Sequence, residues 1–169
     1  RMSSNMKSSF KRQGSFFSAI FRKMFGGENF FLGKYEHPNG GSLTFAPSIP
    51  GHVEHRQLSN NSLNVMAGCF LACTPGVNIK AKFGGLKAFF SGEGAFLLEA
   101  SGSGDLFFNS FGGIVKKEIN GEFIVDTGHV VAFDSSLNYS ITGMGNFKST
   151  MLSGEGLVMK FKGAGTLYL

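Results

Sequence analysis

Four patterns of chemistry-bearing residues stand out in the chain. Asp126-Thr-Gly is the tripeptide in which aspartic proteases hold one of two carboxylates that share a proton. It occurs once, with His129 where a serine or threonine is usual, so turn chemistry is the expected role: Asp accepts nearby backbone N–H groups and Gly turns the chain. Three glutamates, Glu28, Glu93 and Glu155, each follow a glycine (Gly27, Gly92 and Gly154). Three carboxylates meeting on an axis could bind a cation, but a feature repeated once per unit is expected to be a structural turn. His52-Val-Glu-His55 matches neither zinc-protease signature, and it follows Pro50-Gly51, so a surface loop is expected there. Cys69 and Cys73 form C-x3-C without further ligands at zinc spacing, and they are expected to pack as small hydrophobes. No catalytic residue, metal or cofactor is therefore predicted.

Between Lys7 and Lys23 the chain interleaves Lys7, Lys11, Arg12, Arg22 and Lys23 with Phe10, Phe16, Phe17 and Phe21. Basic residues among aromatics suit an anionic membrane surface or single-stranded nucleic acid. The competing structural role is a helix from Ser15 to Phe25, whose Phe16, Phe17, Ile20, Phe21 and Met24 follow helical spacing and would pack on a sheet. The formal charge of +5 agrees with an anionic partner without requiring one. Twenty phenylalanines in 169 residues need a core, which excludes a disordered chain. No run reaches the roughly 20 apolar residues of a membrane-spanning helix.

Those residues must be positioned by something repeated. Phe25-Gly-Gly-Glu-Asn-Phe-Phe-Leu32 recurs from Phe90 and again from Leu152, and Gly41-Ser-Leu-Thr-Phe45 recurs from Gly104 and from Gly165. Between these landmarks apolar and polar residues alternate: Leu157, Met159 and Phe161 interleave with Val158, Lys160 and Lys162. Period-2 alternation predicts half-buried strands. The glycines that follow (Gly102 and Gly104; Gly163 and Gly165) predict a hairpin turn in each unit. Met66–Ala72 and Asp126–Ala132 occupy matching places upstream. One domain of three repeats follows, with a short first unit at 1–50 and fuller ones at 51–112 and 113–169. The first unit lacks its opening strands, so the natural chain is expected to begin roughly 15–20 residues or more earlier, by comparison of the units. The fold class is all-β: sandwich units in a β-prism-like, pseudo-threefold arrangement, with short helical connections at 86–90 and 147–152 as well as near 15–25.

The blocks Phe90-Ser-Gly-Glu-Gly, Ile124-Val-Asp-Thr-Gly-His129, Lys148-Ser-Thr150 and Ser153-Gly-Glu-Gly-Leu-Val158 through Gly165-Thr-Leu-Tyr168 resemble the mitochondrial biogenesis (altered inheritance of mitochondria) family. The resemblance implies a triplicated jelly-roll-like fold, similar to the tryptophan RNA-binding attenuation protein. It also implies a link to inner-membrane organisation in fungi, with a mitochondrial place in eukaryotes and a cytoplasmic one in prokaryotes, and it supplies no catalytic residues. The expected function is a non-enzymatic binding or assembly protein with protein partners or an anionic membrane surface. An RNA-binding module is the alternative, and an enzyme ranks last.

Overall fold

A computed structural model describes residues 2–12, 31–83, 96–143 and 157–169. The chain divides into two compact units, Arg1–Ala46 and Pro47–Leu169. In the first, β1 (Lys7–Arg12) pairs antiparallel with β2 (Phe31–Glu36), from Lys7 opposite Glu36 to Arg12 opposite Phe31. An isolated bridge joins Met2 to Leu43.

The second unit is an eight-stranded sheet. Its strands are β3 (Val53–Met66), β4 (Phe70–Cys73), β5 (Val77–Phe83), β6 (Phe96–Asn109), β7 (Lys116–Asp126), β8 (Ala132–Asp134), β9 (Asn138–Gly143) and β10 (Leu157–Tyr168). The order β4-β6-β3-β8-β10-β7 is antiparallel throughout, with β5 also on β6 and β9 also on β10. The run β3 to β6 and the run β7 to β10 contain the same elements in the same order. In each, a long strand ends in a 3-10 turn (Ala67–Cys69 or Thr127–His129), a short strand follows, and a hairpin closes against the long strand. The short β8 also bridges to β3, with Leu63 opposite Asp134 and Val65 opposite Ala132, and so joins the two runs.

Burial follows the alternation. Leu157, Met159 and Phe161 are buried on β10, while Val158 and Lys160 are half-buried and Lys162 is exposed. Met159 and Phe161 join Leu97, Ile119, Val130, Phe133, Leu137 and Leu167 in one core cluster, where Phe133 meets Phe161 edge to face at 4.9 Å between centroids. Such ring pairs add about 0.5–1.5 kcal/mol beyond their buried area.

The expected glycine turns are a correction. Gly102 and Gly104 lie inside β6, and Gly163 and Gly165 inside β10, so each strand continues where a reversal was expected. The backbone does leave the ordinary strand region there, with φ +118° at Gly102 and +150° at Gly104, and β3 bulges opposite at Asn60. A Cβ on Gly104 would lie 2.4 Å from Thr74 Oγ1, and one on Gly102 would lie 2.4 Å from the Gly76 carbonyl. These glycines let the Thr74–Gly76 turn cross the strand. The hairpin-like pairings lie elsewhere: β1 with β2, β5 with β6, and β9 with β10. The expected helix at 15–25 and its counterparts at 86–90 and 147–152 lie outside the described residues.

Candidate functional site

One hydrogen bond recurs three times. Just ahead of each hairpin a side-chain oxygen accepts a backbone N–H from the returning strand or the segment after it. Ser3 Oγ accepts from Ser42 at 2.9 Å, Thr74 Oγ1 from Asp105 at 2.8 Å, and Asp134 Oδ2 from Thr166 at 2.8 Å. Ser42, Asp105 and Thr166 each follow the glycine of the second sequence landmark. Sequence reasoning missed this latch because Ser, Thr and Asp share only an acceptor oxygen, not an identity.

Asp134 does more than its counterparts. Its other oxygen receives Arg56 Nη2 at 3.4 Å, while Arg56 Nη1 donates to the Tyr168 hydroxyl at 2.9 Å. The Tyr168 ring is buried edge-on against Phe108, so its hydroxyl needs that partner. One strand turn away, Lys116 Nζ pairs with Glu54 at 2.6 Å and His52 approaches the same carboxylate at 3.4 Å. Burial pushes the Glu54 carboxyl up, but the Lys116 ammonium and the His52 ring outweigh it and hold it below the usual carboxylate range. This seam ties β3 to the run β7–β10. The signal was present in Val53-Glu-His-Arg-Gln-Leu58, where alternation places Glu54, Arg56 and Leu58 on one face. The loop expected at His52–His55 is therefore a correction, since Glu54 and His55 lie on β3. His55 turns to the other face, stacks on Phe107 and meets Asp105 Oδ1 at 2.8 Å.

The Asp126-Thr-Gly tripeptide is used by the fold. Asp126 Oδ1 accepts from Gly128 N at 2.8 Å and caps the 3-10 turn, while the buried Thr127 hydroxyl donates to the Leu157 carbonyl at 2.9 Å. Both thiols are free and half-buried, and burial pushes their pKa values up, away from the reactive thiolate. Among the described residues no group of three His, Cys, Asp or Glu side chains could hold a metal ion. Gly27, Glu28, Gly92, Glu93, Gly154, Glu155, Arg22 and Lys23 lie outside the described residues.

Lys7, Lys11 and Arg12 form part of β1. Cross-strand partners share a face, so Ser8 and Phe10 lie with Gly33 and Tyr35, and Lys7 and Ser9 lie with Lys34 and Glu36. One face is thus aromatic and the other basic. Phe10 is 76 % exposed and Tyr35 is 42 % exposed, with Tyr35 edge-on to Phe45 at 5.9 Å. On the basic face Lys34 pairs with Glu36.

The family model for mitochondrial biogenesis AIM24 matches residues 1–169. The chain belongs to the mitochondrial biogenesis AIM24 family. An uncharacterized protein of Streptococcus pyogenes serotype M6 is 33 % identical over 159 residues, a match that covers 92 % of this chain and 64 % of that relative. The chain thus spans somewhat less than two thirds of that relative's length. A crystal structure of a Streptococcus pyogenes protein superposes with a TM-score of 0.79 at 29 % identity, over 99 % of this chain and 77 % of that one.

Proposed function

We propose that this AIM24-family protein is a non-enzymatic binding and assembly protein that meets an anionic membrane surface through the basic face of its first unit. One observation carries the reading. Residues 1–46 hold seven Lys or Arg against two Asp or Glu, whereas residues 47–169 hold nine of each, so the whole excess of +5 belongs to the first unit. A charge excess confined to one short unit acts as a local field, and anionic surfaces attract such clusters with a strength that falls with salt. Three carboxylates are engaged in the fold: Asp126 caps a turn, Asp134 latches a strand, and Glu54 neutralises Lys116.

The same reading takes the three hairpins and their latches as three copies of one module in an approximately threefold fold. Its support is the recurrence of the latch hydrogen bond and of six- or seven-residue strand pairing at β1–β2, β5–β6 and β9–β10. A nucleic acid is the competing anionic partner and corresponds to the attenuation-protein-like alternative.

Flotation with vesicles of neutral lipid, with and without about one third anionic lipid, tests the reading. Binding should require the anionic lipid, weaken steeply with salt, and fall in the doubly substituted Lys7→Gln, Lys34→Gln chain. Equal flotation on neutral vesicles, or preference for a fluorescent oligonucleotide over anionic vesicles at matched salt, would sink it.

A further inference from the structure

We infer that the exposed apolar patch around Phe111, in the second unit, enters the interfacial layer of an anionic membrane. The inference takes the kind of surface from the membrane reading and adds a second contact to it. Among the described residues of 47–169, five large apolar side chains stand exposed, and four of them, Ile49, Val53, Phe111 and Val115, come from two adjoining segments. Those segments are tied together. Gly51 bridges Gly112, His52 N donates to the Gly112 carbonyl at 2.8 Å, and Ser110 N donates to the His52 carbonyl at 3.1 Å. The approach is so close that a Cβ on Gly51 would lie 1.7 Å from the Ser110 carbonyl oxygen. Singly scattered apolar residues are ordinary on a protein surface, whereas a group drawn together marks an interaction site.

The patch is held in place. Asn109 and Ser110 are buried, at 6 % and 4 % exposure, and the Ser110 hydroxyl donates to the Gly112 carbonyl at 3.0 Å. Val115 exchanges backbone hydrogen bonds with Leu169, at 2.8 and 3.0 Å. Between these anchors Phe111 stands 78 % exposed and is followed by two glycines, the first at φ +78°. Its ring can leave water for lipid while the anchoring backbone groups keep their partners, which a bilayer requires of any backbone near it.

Charge names the partner. Lys116 follows Val115 directly and pairs with Glu54, which follows Val53. The Lys116 side chain is 53 % exposed and that of Glu54 is 14 % exposed, so the pair turns its positive end outward. Lys117 is exposed beside it, and the next acid, Glu118, accepts a hydrogen bond from the Thr166 hydroxyl at 3.0 Å. An apolar tip with cations at its base matches a bilayer whose anionic headgroups overlie hydrocarbon. A purely apolar protein groove would leave the outward cations without counter-charge.

Tryptophan fluorescence and flotation of the full chain, on the same neutral and anionic vesicles, test the inference. The chain lacks tryptophan, so Phe111→Trp reports from the patch alone. Its emission should shift to the blue on anionic vesicles and be quenched by lipids brominated on their acyl chains. Ile124→Trp, also exposed but toward the far end of β7, should do neither. Phe111→Ser should weaken vesicle binding about tenfold or more, by a factor that salt leaves unchanged, because apolar burial is not screened. No blue shift at lipid concentrations that float the chain, or equal quenching of Ile124→Trp, overturns the site. An equal shift on neutral vesicles overturns the anionic surface. A blue shift that grows with protein concentration without lipid assigns the patch to a second copy and overturns the membrane as its occupant. The two membrane contacts fail separately. If Lys7→Gln, Lys34→Gln leaves flotation intact while Phe111→Ser abolishes it, the basic face falls and the patch stands. The reverse result removes the patch alone, and no flotation of the native chain overturns both.

Discussion

The two units use the same local devices and end in different physical states. Residues 47–169 balance nine basic against nine acidic residues and bury Phe108, Phe133, Phe161, Tyr168 and a set of aliphatic side chains. Residues 1–46 carry the entire net charge and expose Met2, Phe10, Tyr35 and Phe45. Latch and hairpin recur in both, so neither produces the core. Coverage does. A hairpin with a long strand on its far edge closes a dry face, and a hairpin without one is marginal in water.

The contrast can be broken most directly at its aromatic positions. Phe161→Ala should lower stability by about 3–5 kcal/mol because it empties a fully buried site, whereas Phe10→Ala, in an exposed site, should stay within about 0.5 kcal/mol. Denaturant melts of both variants check this, and similar losses would mean that the first unit has a core of its own. The latch sharpens the contrast next. Asp134→Ala strands the Thr166 N–H and releases Arg56 from its acid partner, a loss of about 1.5–3 kcal/mol for a charged hydrogen bond. Ser3→Ala removes the equivalent bond at an exposed site and should cost less than about 1 kcal/mol. Equal losses would contradict a coverage-based difference.

Smaller effects test whether the suggestive acids serve the fold. Asp126→Ala removes the cap of a 3-10 turn and should cost about 1 kcal/mol, in the range of helix caps, while Asp126→Asn should retain most of the stability. The smallest is a pH effect at Glu54. Its carboxyl sits below its unfolded value, so the contribution is present at neutral pH and is lost as pH falls through the folded value. Melts of the native chain should weaken on acidification below about pH 4.3, the ordinary glutamate pKa. Glu54→Gln should flatten that dependence, and an unchanged acid limb would refute the assignment.

Much of this was legible in the residues because period and punctuation are local. Leu157, Met159 and Phe161 announce a half-buried strand by spacing alone, and Asp126-Thr-Gly announces a turn because a short acceptor beside glycine satisfies nearby N–H groups. The strand glycines misled for an equally local reason, since the same residue permits a reversal or a close crossing. Only the approach of Thr74 and Gly76 across β6 distinguishes the two.

By itself, the sequence determined the strand alternation and the family membership, both properties of residue order. The tertiary structure alone decided which faces are covered, that Arg56 reaches Asp134 and Tyr168, and that Phe10 stands in water while Ile141 packs on a core. Burial and pairing depend on which distant strand lies alongside, and side-chain period says only that a face is apolar, not what covers it.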